Sequence, residues 1–246
     1  MRRRLLLLAL LLLAAGPAWA ENPADCRVAE NLIEPSFKLP QVTRALAAKH
    51  LTILAVGAGS SQLPSGNAYP ARLQQALAEQ LRGVEVKVTT DVKSGRTAAE
   101  MVKTLPAALS TTKPSLLVWQ TGTVDAMLGI DPDQFSQALE KGIKTARAAG
   151  ADVILINAQY SPRTESMIAL GTYVEDMRWV ALQQEVPLFD RFSIMKLWGE
   201  LGTFDLYSAT KKLDIAERVH DCIGRLLADL VITAAKPAEP PTNGSR

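Results

Sequence analysis

The chain is predicted to fold as an α/β domain of three α/β/α layers around a five-stranded parallel sheet. Three observations carry this expectation. From residue 50 onward, short apolar runs alternate with segments of helical periodicity, which is the order of a parallel sheet covered on both faces. The run at 51–56, LTILAV, is nearly continuous in apolar residues, as a strand buried on both faces should be. Turns rich in Gly, Ser or Thr follow the runs ending at 56 and 120 directly.

Each element has its own signal. Residues 51–56 read as the first strand. A helix over 68–81 places Leu73, Leu77 and Leu81 four residues apart. Residues 84–88 alternate Val, Glu, Val, Lys, Val, the pattern of a strand nearer a sheet edge. A helix over 97–109 is expected to break or restart around Pro106. Residues 115–120 form the third strand, with Trp119 inside it as a core residue. Asp131 is an N-cap with Pro132 at the first helical position, opening a helix that carries Phe135, Leu139 and Ile143 and stops at Gly150. Residues 152–156 are the fourth strand. One long helix over 163–184 sets Met167, Leu170, Val174, Met177 and Ala181 on one face. A short fifth strand at 186–189 precedes a closing helix over 213–234, with Val219, Ile223, Leu226 and Leu230 inward. Trp179 and Trp198 read as packing residues. Ligand-contacting loops lie beyond the C-terminal strand ends, here 57–66, 91–97, 121–129, 157–163 and 190–193.

Residues 1–20 read as a signal peptide: a basic MRRR start, an apolar 5–15, and Ala18-Trp19-Ala20 as a small-x-small cleavage site. No later stretch reaches the ~20 apolar residues of a membrane span. Removing Arg2, Arg3 and Arg4 from 27 basic residues leaves 24 against 25 acidic ones, a net charge of −1. Without a basic stripe or an aromatic platform, nucleic acid is not an expected partner; a small-molecule ligand or an envelope protein is. The expected location is periplasmic or secreted. Residues 21–50 form an N-terminal extension that packs across the 51–234 domain, and the Pro-rich 235–246 reads as a disordered tail.

Cys26 and Cys222 are the only cysteines. An even count in an exported chain points to a disulfide between extension and closing helix, with two buried free thiols as the alternative. Neither His50 nor His220 sits at metal-ligand spacing from a cysteine pair, so no metal and no cofactor is implied. The loop Gly57-Ala58-Gly59-Ser60-Ser61 lacks the dinucleotide-binding spacing and the lysine of a P-loop.

Two blocks frame the functional question: Gly57-Ala58-Gly59-Ser60-Ser61 after the first strand and Gly122-Thr123-Val124-Asp125 after the third. Together with Ser94-Gly95-Arg96-Thr97 and Phe204-Asp205-Leu206-Tyr207, they resemble the blocks of SGNH/GDSL hydrolases. The resemblance covers about 51–230, extends to the stretches QYSPR at 159–163 and PLFDR at 187–191, and implies a flavodoxin-like sheet and an ester hydrolase ancestry. It also implies a loss. Gly59 stands at the position of the nucleophilic serine, Val124 at that of the oxyanion asparagine, and Tyr207 at that of the histidine. Valine cannot donate a hydrogen bond. Gly95 matches the glycine whose N–H helps form the oxyanion hole.

The expectation is therefore a catalytically degenerate domain that binds a small ligand, an acylated saccharide among the candidates, or a partner protein. Its candidate contacts are Ser60, Ser61, Gly95, Thr123, Asp125 and Tyr207. The alternative is a slow ester hydrolase using Ser60 as a displaced nucleophile. His220 is expected to be a half-buried structural residue, ~15–20 Å beyond the position where a base is needed. His50 precedes the first strand and falls at the opposite end of the sheet.

Overall fold

The computed structural model describes residues 26–207 and 213–236. The expected signal peptide, and the tail beyond residue 236, lie outside the described residues. Five parallel strands form one sheet in the order β2-β1-β3-β4-β5: β1 (His50–Gly57), β2 (Glu85–Val92), β3 (Leu116–Gln120), β4 (Asp152–Ile156) and β5 (Leu188–Phe189). The alternating strand is at the edge, as its pattern requires, and β1, β3 and β4 are the apolar interior strands. The order reverses direction on either side of β1 and β3, which opens a crevice beyond their C-terminal ends.

The helices are α1 (Pro40–Ala47), α2 (Tyr69–Gln80), α3 (Ala98–Thr112), α4 (Thr123–Leu128), α5 (Pro132–Ala148), α6 (Pro162–Met167), α7 (Leu170–Gln183), α8 (Arg191–Glu200) and α9 (Leu213–Ala235). One face of the sheet is covered by α1, α2, α8 and α9 around Leu51, Ile53, Leu73 and Ile223. The other is covered by α3, α5 and α7 around Leu54, Trp119, Phe135 and Met177. Cys26 and Cys222 form a disulfide with Cα atoms 4.9 Å apart. It ties the start of the described chain to α9 across 196 residues, a loop long enough for an upper stabilisation of about 5 kcal/mol in the chain-entropy picture.

Four expectations are corrected. Helix α3 runs unbroken through Pro106, because the ring sits on the exposed face while Leu105 and Leu109 anchor the buried one. The long helix at 163–184 is two helices. Ile168 is extended (φ −137°, ψ 132°), and Met167 is exposed rather than in line with Leu170. Trp179 is 63% exposed on the outer face of α7. Ala235 closes α9 instead of opening a tail.

Three helices, α1, α4 and α8, had no forecast. In α1, Asp152 Oδ2 accepts the N–H groups of Gln41 and Val42 at 2.7 and 3.0 Å, so β4 supplies the cap. In α8, Asp190 accepts the Ser193 N–H at 3.0 Å, which converts the expected 190–193 loop into a helix start.

Candidate functional site

The turn after β1 is short and polar. Ser61 is buried, and its hydroxyl donates to Gln120 Oε1 at 2.7 Å. The same amide donates through Nε2 to Ser60 Oγ. Gln120 is the lone polar residue of β3, placed where that strand ends, so its side chain clamps both serines. An amide cannot take a proton from a hydroxyl, so this clamp holds Ser60 without activating it. At Gly59, an added Cβ would lie 3.0 Å from Ser94 Oγ. Gly59 thus faces Ser94 in the turn after β2.

A cavity of about 380 Å³ opens beside Ser60. Arg191, Gln159 and His220 contribute polar groups to it, and Leu63, Pro64, Met195, Leu206, Leu213 and Val219 contribute apolar wall. Arg191 is 1% exposed. Its guanidinium donates to the Ser60 carbonyl at 3.1 Å and to Gln159 Oε1 at 3.2 Å. It also lies 5.9 Å above the centre of the Tyr69 ring. Burial lowers Arg191 to about 10, so the group keeps its charge at neutral pH. Burial pushes the Tyr69 phenol up, so that phenol is neutral and offers no countercharge.

His220 belongs to this cavity, which corrects its expected remoteness. It is buried rather than half-buried, at 5% exposure, and stacks on Tyr69 with ring centres 6.1 Å apart. The helix packing explains the placement. A Cβ at Gly224 would come within 2.8 Å of the Leu73 backbone nitrogen, so α9 meets α2 in near backbone contact there. One turn earlier on both helices, His220 reaches Tyr69 at the start of α2. Nδ1 of His220 accepts the Tyr69 N–H at 2.9 Å. Burial first, and the Arg191 charge second, lower His220 to about 3.

This hydrogen bond fixes the tautomer. If Nδ1 is the acceptor, the neutral ring carries its proton on Nε2. Such a ring can donate from Nε2 but cannot accept there, so His220 is a donor and not a general base. His50 lies at the opposite end of the sheet, where it pairs with Glu85 at 3.2 Å.

The remaining expected contacts fall elsewhere. Asp125 is 1% exposed. Its carboxylate accepts the Ala98 N–H at 2.9 and 3.2 Å and the Thr121 hydroxyl at 3.3 Å. It therefore caps α3, alongside the Thr97–Glu100 capping box. Burial raises its pKa, partly offset by those hydrogen bonds. Gly95 turns the chain at φ +77°, a conformation that favours glycine. Thr123 opens α4 with its Oγ1 shielded and without a hydrogen-bond partner among the described residues. Val124 packs against the α3–α5–α7 core. Tyr207 is 70% exposed and is not part of the cavity wall, although Leu206 beside it is. Of the expected contacts, the structure brings Ser60 to the cavity with Arg191 and His220, places Ser61 against a neighbouring cavity lined by Gly59, Gln74 and Val88, and leaves Asp125 and Tyr207 outside both.

Sequence reasoning missed Gln120, Gln159 and Arg191. Gln120 and Arg191 carry a readable signal, since each is a polar residue at the C-terminal edge of an apolar strand. Among the described residues, no cluster of His, Cys, Asp and Glu has the makings of a metal site, and no helix is long and apolar enough to cross a membrane.

A parallel sheet covered on both faces, with polar groups gathered past β1 and β3, defines a three-layer α/β/α fold. Residues 25–237 match the Non-GDSL lipase-like family, and the chain belongs to it. It is 34% identical over 134 residues to esterase TesA of Pseudomonas aeruginosa, covering 53% of this chain and 65% of that protein. It is 29% identical over 101 residues to an arylesterase of Vibrio mimicus, covering 41% of this chain and 50% of that protein. Each alignment thus spans less than two thirds of the relative's length. A crystal structure of TesA superposes with TM-score 0.58 at 28% identity, over 73% of this chain and 99% of that one. A catalytic mutant of an acetylxylan esterase from Geobacillus stearothermophilus gives TM-score 0.60 at 14% identity, over 74% and 94% of the two chains, and so shares the fold. These relatives make the protein a member of a hydrolase-like family of SGNH/GDSL type.

Proposed function

We propose that this protein is an exported, catalytically degenerate member of its family that binds a small ligand in the cavity beside Ser60. The observation that carries this reading is the state of His220: its Nδ1 is occupied by the Tyr69 N–H. The imidazole is thereby committed as a donor, so it does not supply the proton acceptor that the family's type of ester hydrolysis needs. Gly59 at the nucleophile position and Val124 at the oxyanion position support the same reading. Export is supported by the signal-like N-terminus and by the disulfide, since such bonds persist in oxidising compartments. The ligand form that the resemblance implies is an acylated saccharide, with an envelope protein as the other partner class.

A second reading, slow ester hydrolysis by Ser60, has one observation in its favour: Ser60 and His220 line the same cavity. Turnover of p-nitrophenyl butyrate by the mature protein separates the two. Binding without catalysis predicts a rate equal to that of Ser60→Ala and of Ser61→Ala. A rate that disappears only in Ser60→Ala assigns the enzyme reading instead.

A further inference from the structure

Two buried arginines stand near the C-terminal edge of the sheet. Arg96, 9% exposed, has an acid: Asp91 Oδ2 lies 3.0 Å away. Arg191, more deeply buried, is held by a carbonyl and an amide oxygen, both neutral. Its Nε is shielded and has no hydrogen-bond partner among the described residues. The neighbouring Asp190 does not compensate it. That carboxylate is engaged by Arg178 at 2.6 Å, by Asn157 at 2.7 Å and by the Ser193 N–H. Among the described residues that line the cavity, Arg191 is the one charged side chain, and none is acidic.

A buried cation held by neutral acceptors alone is costly. Here it also sits at the first position of α8, where the helix dipole opposes positive charge. The fold therefore breaks two local rules at one residue, which is the pattern expected at a functional site. An anion would relieve both. The donor that His220 presents on Nε2 adds a neutral hydrogen bond, so the site matches one negative charge better than two. A guanidinium is shaped to hold a carboxylate. Leu63, Pro64, Met195, Leu206, Leu213 and Val219 form the apolar part of the wall, beside the neutral polar Ser60, Gln62, Gln159 and Ser161.

We propose that the cavity receives a monoanionic carboxylate attached to an apolar body, with the carboxylate at Arg191 and His220. This rests on the reading of the cleft as a ligand site and narrows its ligand class away from a neutral acylated saccharide. No bond is made or broken.

The test compares hexanoate with hexanamide, which has the same chain and no charge, by NMR titration of the mature protein. Hexanoate is expected to bind saturably, shifting the backbone amides of Ser60, Gln159 and Arg191 and the imidazole nitrogens of His220. It should bind at least tenfold more tightly than hexanamide. Arg191→Gln should remove that preference while Arg191→Lys retains part of it, each checked for a native melting transition. The wild-type acid–amide comparison decides the matter even if both variants misfold. Equal affinity for acid and amide, or no binding of hexanoate, overturns the carboxylate site. An unchanged preference in folded Arg191→Gln overturns the role of Arg191. Xylose tetraacetate is the neutral control: if it binds where hexanoate does not, the cleft remains a ligand site and this inference alone fails. Ser60-dependent ester turnover with hexanoate still bound would instead sink the binding-only reading and leave the carboxylate site standing.

Discussion

The two halves of the crevice handle polarity differently. On the β2–β3 side, every buried charge has its partner inside the fold. Arg96 meets Asp91, Asp125 accepts from Ala98 and Thr121, and Thr97 and Glu100 cap each other. On the other side, past the end of β1 and under α8 and α9, the Arg191 guanidinium is held by the Ser60 carbonyl and the Gln159 amide oxygen, and His220 Nδ1 by the Tyr69 N–H, with no carboxylate among these contacts. The first half retains recognisable motif positions, Gly95, Gly122 and Asp125, and uses them as scaffold. The second half holds Arg191, whose buried charge meets only neutral hydrogen-bond acceptors.

The largest expected effect that sharpens this contrast is the acid sensitivity of His220. Its pKa is lowered to about 3 in the fold against an unfolded value near 6.5. Between those values the unfolded chain binds the extra proton, so stability is full above about pH 6.5 and falls as pH drops toward 3. The loss is about 1.4 kcal/mol per pH unit. His220→Gln removes this titration, so at pH 4 the wild type should lose about 3 kcal/mol more than the variant, relative to pH 7. Urea melts across that range check it. Parallel pH profiles for the two proteins mean that His220 is not held neutral by the fold.

Next comes the contact that brings His220 to the cavity. Gly224→Ala puts a Cβ 2.5 Å from Arg72 Cβ and 2.9 Å from the Arg72 carbonyl carbon. The clash is with backbone, so α9 must move away from α2. Overpacking of this kind costs about 1–3 kcal/mol, and it should lengthen the Tyr69–His220 hydrogen bond one turn away. The expected readouts are a lower melting temperature and a shift of the His220 imidazole signals, with the Asp125 side of the crevice unchanged. A stable variant with unaltered imidazole signals would separate the helix packing from the state of the ring.

The layers, the strand positions and most helix faces were legible because they rest on periodicity, which packing obeys. Trp179 failed because a helical pattern with apolar residues on several sides does not say which stripe faces the core; Leu170, Val174 and Met177 claimed it. The split before Leu170 depends on two non-helical residues, Ile168 and Ala169, that carry no Gly or Pro signal. His220 was misplaced for a different reason. A distance along one helix from position 207 does not locate it, because its site is set by where α9 lands on α2. That landing is governed by Gly224, a glycine one turn further on, and by a backbone N–H on another element. Arg191 is legible as a charge after a strand. That its acid neighbour Asp190 would turn to Arg178 is a tertiary fact.

The smallest effect concerns Asp125, and it tests the scaffold half. Its carboxylate accepts the Ala98 N–H at the start of α3, so Asp125→Ala should cost about 1–2 kcal/mol, the usual loss for a helix-terminal acceptor. Asp125→Asn should behave differently. Burial raises the Asp125 pKa, so the fold favours the protonated form, and ionisation at neutral pH works against stability. A neutral amide keeps an oxygen for the Ala98 N–H and removes the buried charge. At pH 7 the asparagine variant should therefore match or exceed the wild type while the alanine variant falls below it, and hexanoate binding should be unchanged in both. Denaturation midpoints rank the three proteins. If asparagine is as damaging as alanine while hexanoate binding weakens in step, Asp125 serves the ligand and not α3, and the division between the two halves of the crevice collapses.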